Sequence, residues 1–350
     1  MSDTRLELLS QWVVRDLGLG TTEITVASAD ASFRRYFRAN LRDGRSLIVM
    51  DAPPAHEDLG PYLRVAALLH DAGVHVPEVY AVDRERGFVL LEDLGSTAYL
   101  AELRRPGRAA ALYTAALETL VRIQVEGLEA ARELAPYDAA ALRRELEVMP
   151  EWFFRRHLQL ELDAGERELV ERTFLLLIDA ALAQPVVFVH RDYHSRNLMV
   201  LPEGGPGVID FQDALAGPVG YDLVSILKDC YIAWPRAEVE TWVREHRNLL
   251  LDRGARSLAG ASEREFLRGF DLIGVQRHIK ILGVFARLWW RDGKIGYLDD
   301  LPLTLDYLRD TSARYVELRE FGLWLERRCV PHLAAANARA REHAAREATR

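Results

Sequence analysis

Two short segments hold the residues best suited to chemistry. The first is Val189-His190-Arg191-Asp192-Tyr193-His194-Ser195-Arg196-Asn197-Leu198, and the second is Gly207-Val208-Ile209-Asp210-Phe211-Gln212-Asp213. A carboxylate stands five positions before an asparagine, and a second carboxylate ends an apolar run. Phosphoryl transfer from ATP needs such a set. One carboxylate orients the nucleophilic hydroxyl and accepts its proton, while another carboxylate and an amide oxygen hold magnesium against the phosphates. Magnesium prefers hard oxygen donors and takes few of them from the protein. A hairpin between Asn197 and Asp210 would bring both ligands to one end of a small sheet, next to Asp192.

These segments need a scaffold. Leu6, Leu9, Val13 and Leu17 share a face, which predicts a helix over 4–17 ended by Gly18 and Gly20. Strands are expected at 23–27, 33–39 and 46–50, with a turn at 28–32 and a hairpin turn at Arg42-Asp43-Gly44-Arg45. Pro53-Pro54 ends the third strand, and a helix follows over 59–72. Strands at 78–83 and 87–91 complete a compact β-rich unit ending near Leu94. The rest reads as mainly helical, over 108–124, 139–157, 166–183, 222–231, 237–250, 263–291 and 303–326. One β-hairpin, 198–201 with 207–211, interrupts it. The tail after Pro331 reads as a solvated helix or a frayed end. The fold class is therefore α+β, with residues 1–94 as a β-rich lobe and 95–350 as a mainly helical one.

Bulk properties exclude other classes. The chain has 350 residues, 49% of them hydrophobic and 28% charged, enough for a sizeable core. A net charge of −8 without a basic tract argues against nucleic acid as a partner. Cys230 and Cys329, far apart, suggest neither a disulfide framework nor a metal site. Charged residues interrupt the N-terminal segment, and no apolar run approaches a membrane span, so a cytoplasmic protein without a membrane partner is expected.

The two chemical segments resemble the catalytic and metal loops of protein-kinase-like enzymes. The Asp210-Phe211-Gln212-Asp213 form is similar to the aminoglycoside phosphotransferase and choline kinase branch. Further stretches resemble bacterial N-acetylmuramate/N-acetylglucosamine anomeric kinases of cell-wall recycling. They include Asp30-Ala31-Ser32-Phe33-Arg34-Arg35-Tyr36-Phe37-Arg38, Leu91-Glu92-Asp93-Leu94-Gly95, Asp229-Cys230-Tyr231-Ile232-Ala233-Trp234-Pro235 and Gly274-Val275-Gln276-Arg277-His278-Ile279-Lys280. The resemblance implies a bilobal protein-kinase-like fold and transfer of the ATP γ-phosphate to the anomeric hydroxyl of a small amino sugar. It implies Asp192 as base, Asn197 and Asp210 as Mg2+ ligands, and the backbone of Glu92 and Leu94 as the adenine hinge.

The usual strand lysine that holds the α and β phosphates is absent, because the first lysine is Lys228. Arginine would have to supply that charge. Arg34, Arg35 and Arg38 flank the loop expected to cover the phosphates, and guanidinium binds phosphate bidentately. That loop also lacks glycine, leaving small residues such as Ser32 for close backbone approach. On the acceptor side His194, Arg277, His278 and Lys280 are candidates, for instance for a lactyl carboxylate. A solvated helix face is the plain alternative for the last three. His190 is expected to brace the loop. Two other functions stay open: an aminoglycoside or small-alcohol phosphotransferase, and a nucleotide-binding pseudokinase, which the missing lysine would suit.

Overall fold

The computed structural model describes residues 3–29, 33–202 and 204–348. The chain divides into two compact units, Met1–Arg105 with Arg196–Asp213, and Pro106–Ser195 with Ala214–Arg350.

The first unit opens with α1 (Thr4–Gln11), capped by the Asp3 side chain on the Leu6 N–H and continued by a π-helical stretch, Trp12–Asp16. An antiparallel sheet follows, made of β1 (Thr21–Ala29), β2 (Arg35–Leu41), β3 (Ser46–Asp51), β4 (Val79–Asp83) and β5 (Phe88–Glu92), in the order β1-β2-β3-β5-β4. Helix α2 (Leu59–Asp71) separates β3 from β4 and is capped by Asp58. The short α3 (Tyr99–Leu103) follows β5. Strand alternation gives the sheet two different faces. Phe37, Ala39, Val49, Phe88 and Leu90 pack with Leu9, Trp12 and Val13 on one side. Tyr36, Arg38, Ile48 and Leu91 line a cavity on the other.

The second unit begins with α4 (Ala109–Val125), α5 (Ala139–Leu146), the π-helical stretch Met149–Leu158 and α6 (Ala164–Leu182). The helix expected over 139–157 is split. Pro150 cannot donate an N–H to a continuing helix, and the chain resumes as wider turns. Strand β6 (Val186–Val189) then leads into the catalytic segment.

At Arg196 the chain enters the first unit and forms the hairpin β7 (Leu198–Val200) and β8 (Pro206–Val208). The hairpin belongs there by hydrogen bonds. Val200 N–H donates to the Thr97 carbonyl and Val208 N–H to the His75 carbonyl, each at 2.8 Å. Tyr62 of α2 packs on Phe211 with ring centroids 4.9 Å apart.

Back in the second unit, β9 (Leu215–Pro218) pairs antiparallel with β6, a pairing the sequence analysis missed. The helices α7 (Gly220–Leu227), α8 (Arg236–Asp252), α9 (Glu263–Asp292), α10 (Leu301–Arg314), α11 (Arg319–Arg328) and α12 (Val330–Ala348) complete it. Helix α9 is the axis of this unit. At Gly283 an added Cβ would lie 2.6 Å from the Val148–Met149 backbone, so only glycine lets α9 approach the π stretch so closely. The single helix expected over 303–326 is broken by a 3-10 turn, Val316–Leu318. The tail is no frayed end: Leu333, Ala336, Asn337 and Ala340 are buried, and Asn337 bonds His157 at 2.8 Å.

Candidate active site

In the first unit, Glu92, Asp93, Leu94 and Gly95 form one wall of a cavity of 470 Å3. Tyr36, Arg38, Ile48, Tyr62, Asn197, Met199, Ile209 and Asp210 contribute the others. A cavity of roughly 300–1,000 Å3, mostly apolar with a few polar groups, suits a nucleotide. The Glu92 carboxylate turns to His75 Nε2 at 3.0 Å and fixes the strand end. Tyr36 and Tyr62 were not anticipated as site residues; Tyr36 lies in the 30–38 stretch but only alternation along β2 assigns it to this wall, and Tyr62 is marked only by the face of α2.

The three arginines have different placements. Arg34 is buried, and its Nη2 lies 3.8 Å from Asp210 Oδ1. Arg38 donates to Asp93 through Nε (2.6 Å) and Nη2 (3.0 Å), and to the Gly95 carbonyl at 3.0 Å, which braces the chain just past β5. Arg35 points to the opposite face of β2. Its guanidinium is spent on the fully buried Asp51 (2.6 Å) and on Asp3. Arg35 is therefore dropped from the nucleotide set, since odd and even positions of a strand face opposite sides. Ser32 lies outside the described residues.

Asn197 and Asp210 are side by side: Asn197 Nδ2 donates to Asp210 Oδ2 at 3.2 Å. Asp210 Oδ1 accepts from Gln212 Nε2 at 3.0 Å, and the same Gln212 nitrogen reaches Asp213 Oδ2 at 3.2 Å, so Asp213 is a brace. An amide oxygen and a carboxylate at one cavity edge are hard donors of the kind magnesium takes, and they fit such an ion. Asp210 has φ +64°, an unusual left-handed conformation for a non-glycine residue.

In the second unit, β6 leads into the segment 190–195, and its backbone is held on both sides. The buried Asp222 accepts the N–H groups of His190 (2.6 Å) and Arg191 (2.9 Å). The Arg277 Nη1 donates to the Arg191 carbonyl at 3.0 Å. These bonds fix Arg191 at φ +82°, a conformation costing on the order of 1–3 kcal/mol. His190 is fully buried, and its Nδ1 accepts the Asp192 N–H at 3.2 Å, a bracing role. Burial pushes the Asp222 carboxyl up to about 7, against the pull of its two N–H donors.

Asp192 is about 40% exposed, with Arg277 Nη2 4.0 Å from its Oδ1. Burial raises its pKa, but the charges of Lys280, Arg277, His194 and Arg191 outweigh that and hold it below the usual carboxylate value. The cations are themselves fixed. Glu145 binds Arg191 at 2.6 Å and Lys280 at 2.9 Å, and accepts from the Tyr137 hydroxyl. Lys280 also donates to the Tyr221 hydroxyl at 3.0 Å. Burial would raise the Glu145 pKa, yet Lys280 and Arg191 take it down to about 2. Glu145 was not anticipated; nothing in a run of helical Arg and Glu sets it apart.

Helix geometry separates the acceptor candidates on α9. Arg277 and Lys280 belong to the Asp192 surroundings. His278 does not: it is buried against Tyr307 with centroids 4.8 Å apart, and its Nε2 bonds the Lys228 carbonyl at 3.0 Å. Burial takes its pKa down to about 3, so it stays neutral and structural. His194 is half-buried, edge-on to Tyr231 at 5.5 Å.

Residues 23–261 match the family described as Phosphotransferase enzyme family. Proteins named N-acetylmuramate/N-acetylglucosamine kinase are similar over most of the chain. The one from Pseudomonas aeruginosa is 48% identical over 86% of this chain and 87% of its own. The one from Pseudomonas putida is 43% identical over 91% and 95%, and the one from Neisseria meningitidis 46% over 85% and 87%. The chain belongs to the phosphotransferase enzyme family. This phosphotransferase has the protein-kinase-like fold. A choline kinase from Streptococcus pneumoniae matches with TM-score 0.58 at 14% identity, over 89% of this chain and all of that one. An ADP-bound aminoglycoside phosphotransferase matches with TM-score 0.56 at 13% identity, over 89% and 99%. The enzyme is thus a nucleotide-using kinase, and no helix among its described residues is long and apolar enough to cross a membrane.

Three outcomes are expected for this kinase. Lys280→Gln removes the largest charge holding Asp192 ionised, so the acid limb of the kcat–pH profile should move to higher pH; a limb that stays in place would separate Lys280 from the base. Arg34→Ala should raise KM for the nucleotide by about tenfold or more, the loss of one charge-assisted contact. Arg35→Ala should leave that KM unchanged and lower only stability in urea melts.

Proposed function

We propose that the chain is an ATP- and Mg2+-dependent kinase that phosphorylates the anomeric hydroxyl of N-acetylmuramate and N-acetylglucosamine to the sugar 1-phosphate. One observation carries the reading beyond its relatives' names. Asp192 lies among cations that other groups anchor, Lys280, Arg277 and Arg191, and their charges hold its carboxyl below the usual carboxylate value. An anomeric hydroxyl is more acidic than an ordinary alcohol, so a single low-pKa aspartate can accept its proton as the bond to phosphorus forms.

Asp192 orients the sugar hydroxyl and takes its proton. Arg34 meets the phosphates in the role elsewhere played by lysine, and the backbone at Glu92 and Leu94 receives the purine. Asn197 and Asp210 would hold Mg2+, which neutralises phosphate charge when bound. The base lies five positions before the first metal donor in sequence, on a short and heavily bonded stretch of backbone. The lactyl carboxylate of N-acetylmuramate suits Lys280 and Arg191. A cytoplasmic role in recycling cell-wall amino sugars is the setting this chemistry suits.

The cationic surroundings of Asp192 disfavour a polycationic aminoglycoside. The full set of base and metal donors disfavours a pure binding module.

The test is transfer from ATP and Mg2+ to a panel of N-acetylmuramate, N-acetylglucosamine, glucose, an aminoglycoside and choline, read by phosphorus NMR. An acid-labile anomeric phosphate on the two N-acetyl sugars is expected. Transfer only to the aminoglycoside or choline would overturn the acceptor, and no transfer at all would overturn the enzyme reading.

A further inference from the structure

Asp229 lies on the stretch between α7 and α8, and the mechanism above gives it no part. It is 2% exposed. Its Oδ2 accepts the Ser195 N–H at 3.0 Å and the Ser195 hydroxyl, while its Oδ1 accepts the Tyr231 N–H at 3.1 Å. One buried carboxylate thus ties two separate chain segments together. Ser195 is three residues past Asp192 and two before Asn197. Tyr231 stands against His194, the neighbour of Ser195, with ring planes at 84°.

The stretch carrying Asp229 is itself rigid. His278 holds the Lys228 carbonyl at 3.0 Å, the Tyr307 hydroxyl donates to the Ile232 carbonyl at 3.2 Å, and Trp234 Nε1 donates to the Tyr113 hydroxyl at 2.6 Å. Helices α4, α9 and α10 therefore all fix it. A buried carboxylate with three donors acts as a stiff strut, because breaking any bond leaves a charged group undersatisfied.

We propose that Asp229 is a positioning residue for phosphoryl transfer. It fixes the end of the loop that carries the base Asp192, and through Tyr231 and His194 it sets a wall of the acceptor site. The second half rests on the amino-sugar reading above. The sequence gives Asp229 no catalytic appearance, since it touches neither substrate nor metal.

The experiment compares wild type, Asp229→Asn, Ser195→Ala and Tyr231→Leu by kcat, by KM for ATP and for each sugar, and by hydrogen exchange over residues 190–197. Asp229→Asn should lower kcat about tenfold or more while KM for ATP stays within about twofold. Exchange in the loop should quicken. Ser195→Ala removes one of the three bonds and should give a smaller kcat loss in the same direction. Tyr231→Leu should raise the sugar KM and spare the ATP KM. If Asp229→Asn melts earlier but keeps wild-type kcat per folded molecule, the residue is merely structural and the proposal fails. If it does not fold, an unchanged kcat in Ser195→Ala together with an unchanged sugar KM in Tyr231→Leu overturns it. A wild type that phosphorylates no amino sugar overturns the acceptor reading instead, and the strut is then scored on kcat for ATP hydrolysis and on loop exchange.

Discussion

A carboxylate that must accept a proton cannot be allowed to carry one beforehand, yet partial burial pushes it in that direction. In the proposed mechanism Asp192 meets this constraint through fixed cations. Lys280, Arg277 and Arg191 surround it, and each is anchored by something other than Asp192. Glu145 holds Lys280 and Arg191, Tyr221 holds Lys280, and Arg277 is committed to the Arg191 carbonyl. Charge pairs buried for stability alone are poor bargains against apolar packing. Here, on the proposed reading, they keep the base ionised.

Backbone geometry carries the same logic. Arg191 and Asp210 both adopt positive φ next to working residues. The first is explained by Asp222 and Arg277, which grip its N–H and C=O. Such strain persists only where surrounding bonds over-determine it. In the first unit, the alternation of β2 and the residue before it sort three neighbouring arginines into separate places. Arg34 goes toward Asp210, Arg38 toward Asp93, and Arg35 toward the buried Asp51 on the far face.

Much of the fold was legible because apolar spacing and turn residues were explicit. All five sheet strands of the first unit and the hairpin after Asn197 were anticipated within a few residues. The β6–β9 pair was not, since four apolar residues before a catalytic loop look like part of a helix end or a loop. The breaks at Pro150 and at Val316–Leu318 were overlooked because the periodicity runs on through them. Within the site, Asp192, Asn197 and Asp210 stood out by type and spacing. Arg35 and His278 were misread, because adjacency in sequence says nothing about which face a side chain takes. Glu145 and Asp229 were invisible as site residues: their roles consist of partners brought from distant helices.

The most direct measurement is the turnover of Asp192→Asn alongside its affinity for nucleotide. The amide keeps the shape but cannot accept the proton. A fall in kcat of about 100-fold or more with nucleotide binding intact is expected of a general base. Turnover near wild type would contradict the assignment and leave the surrounding cations without the purpose given to them here.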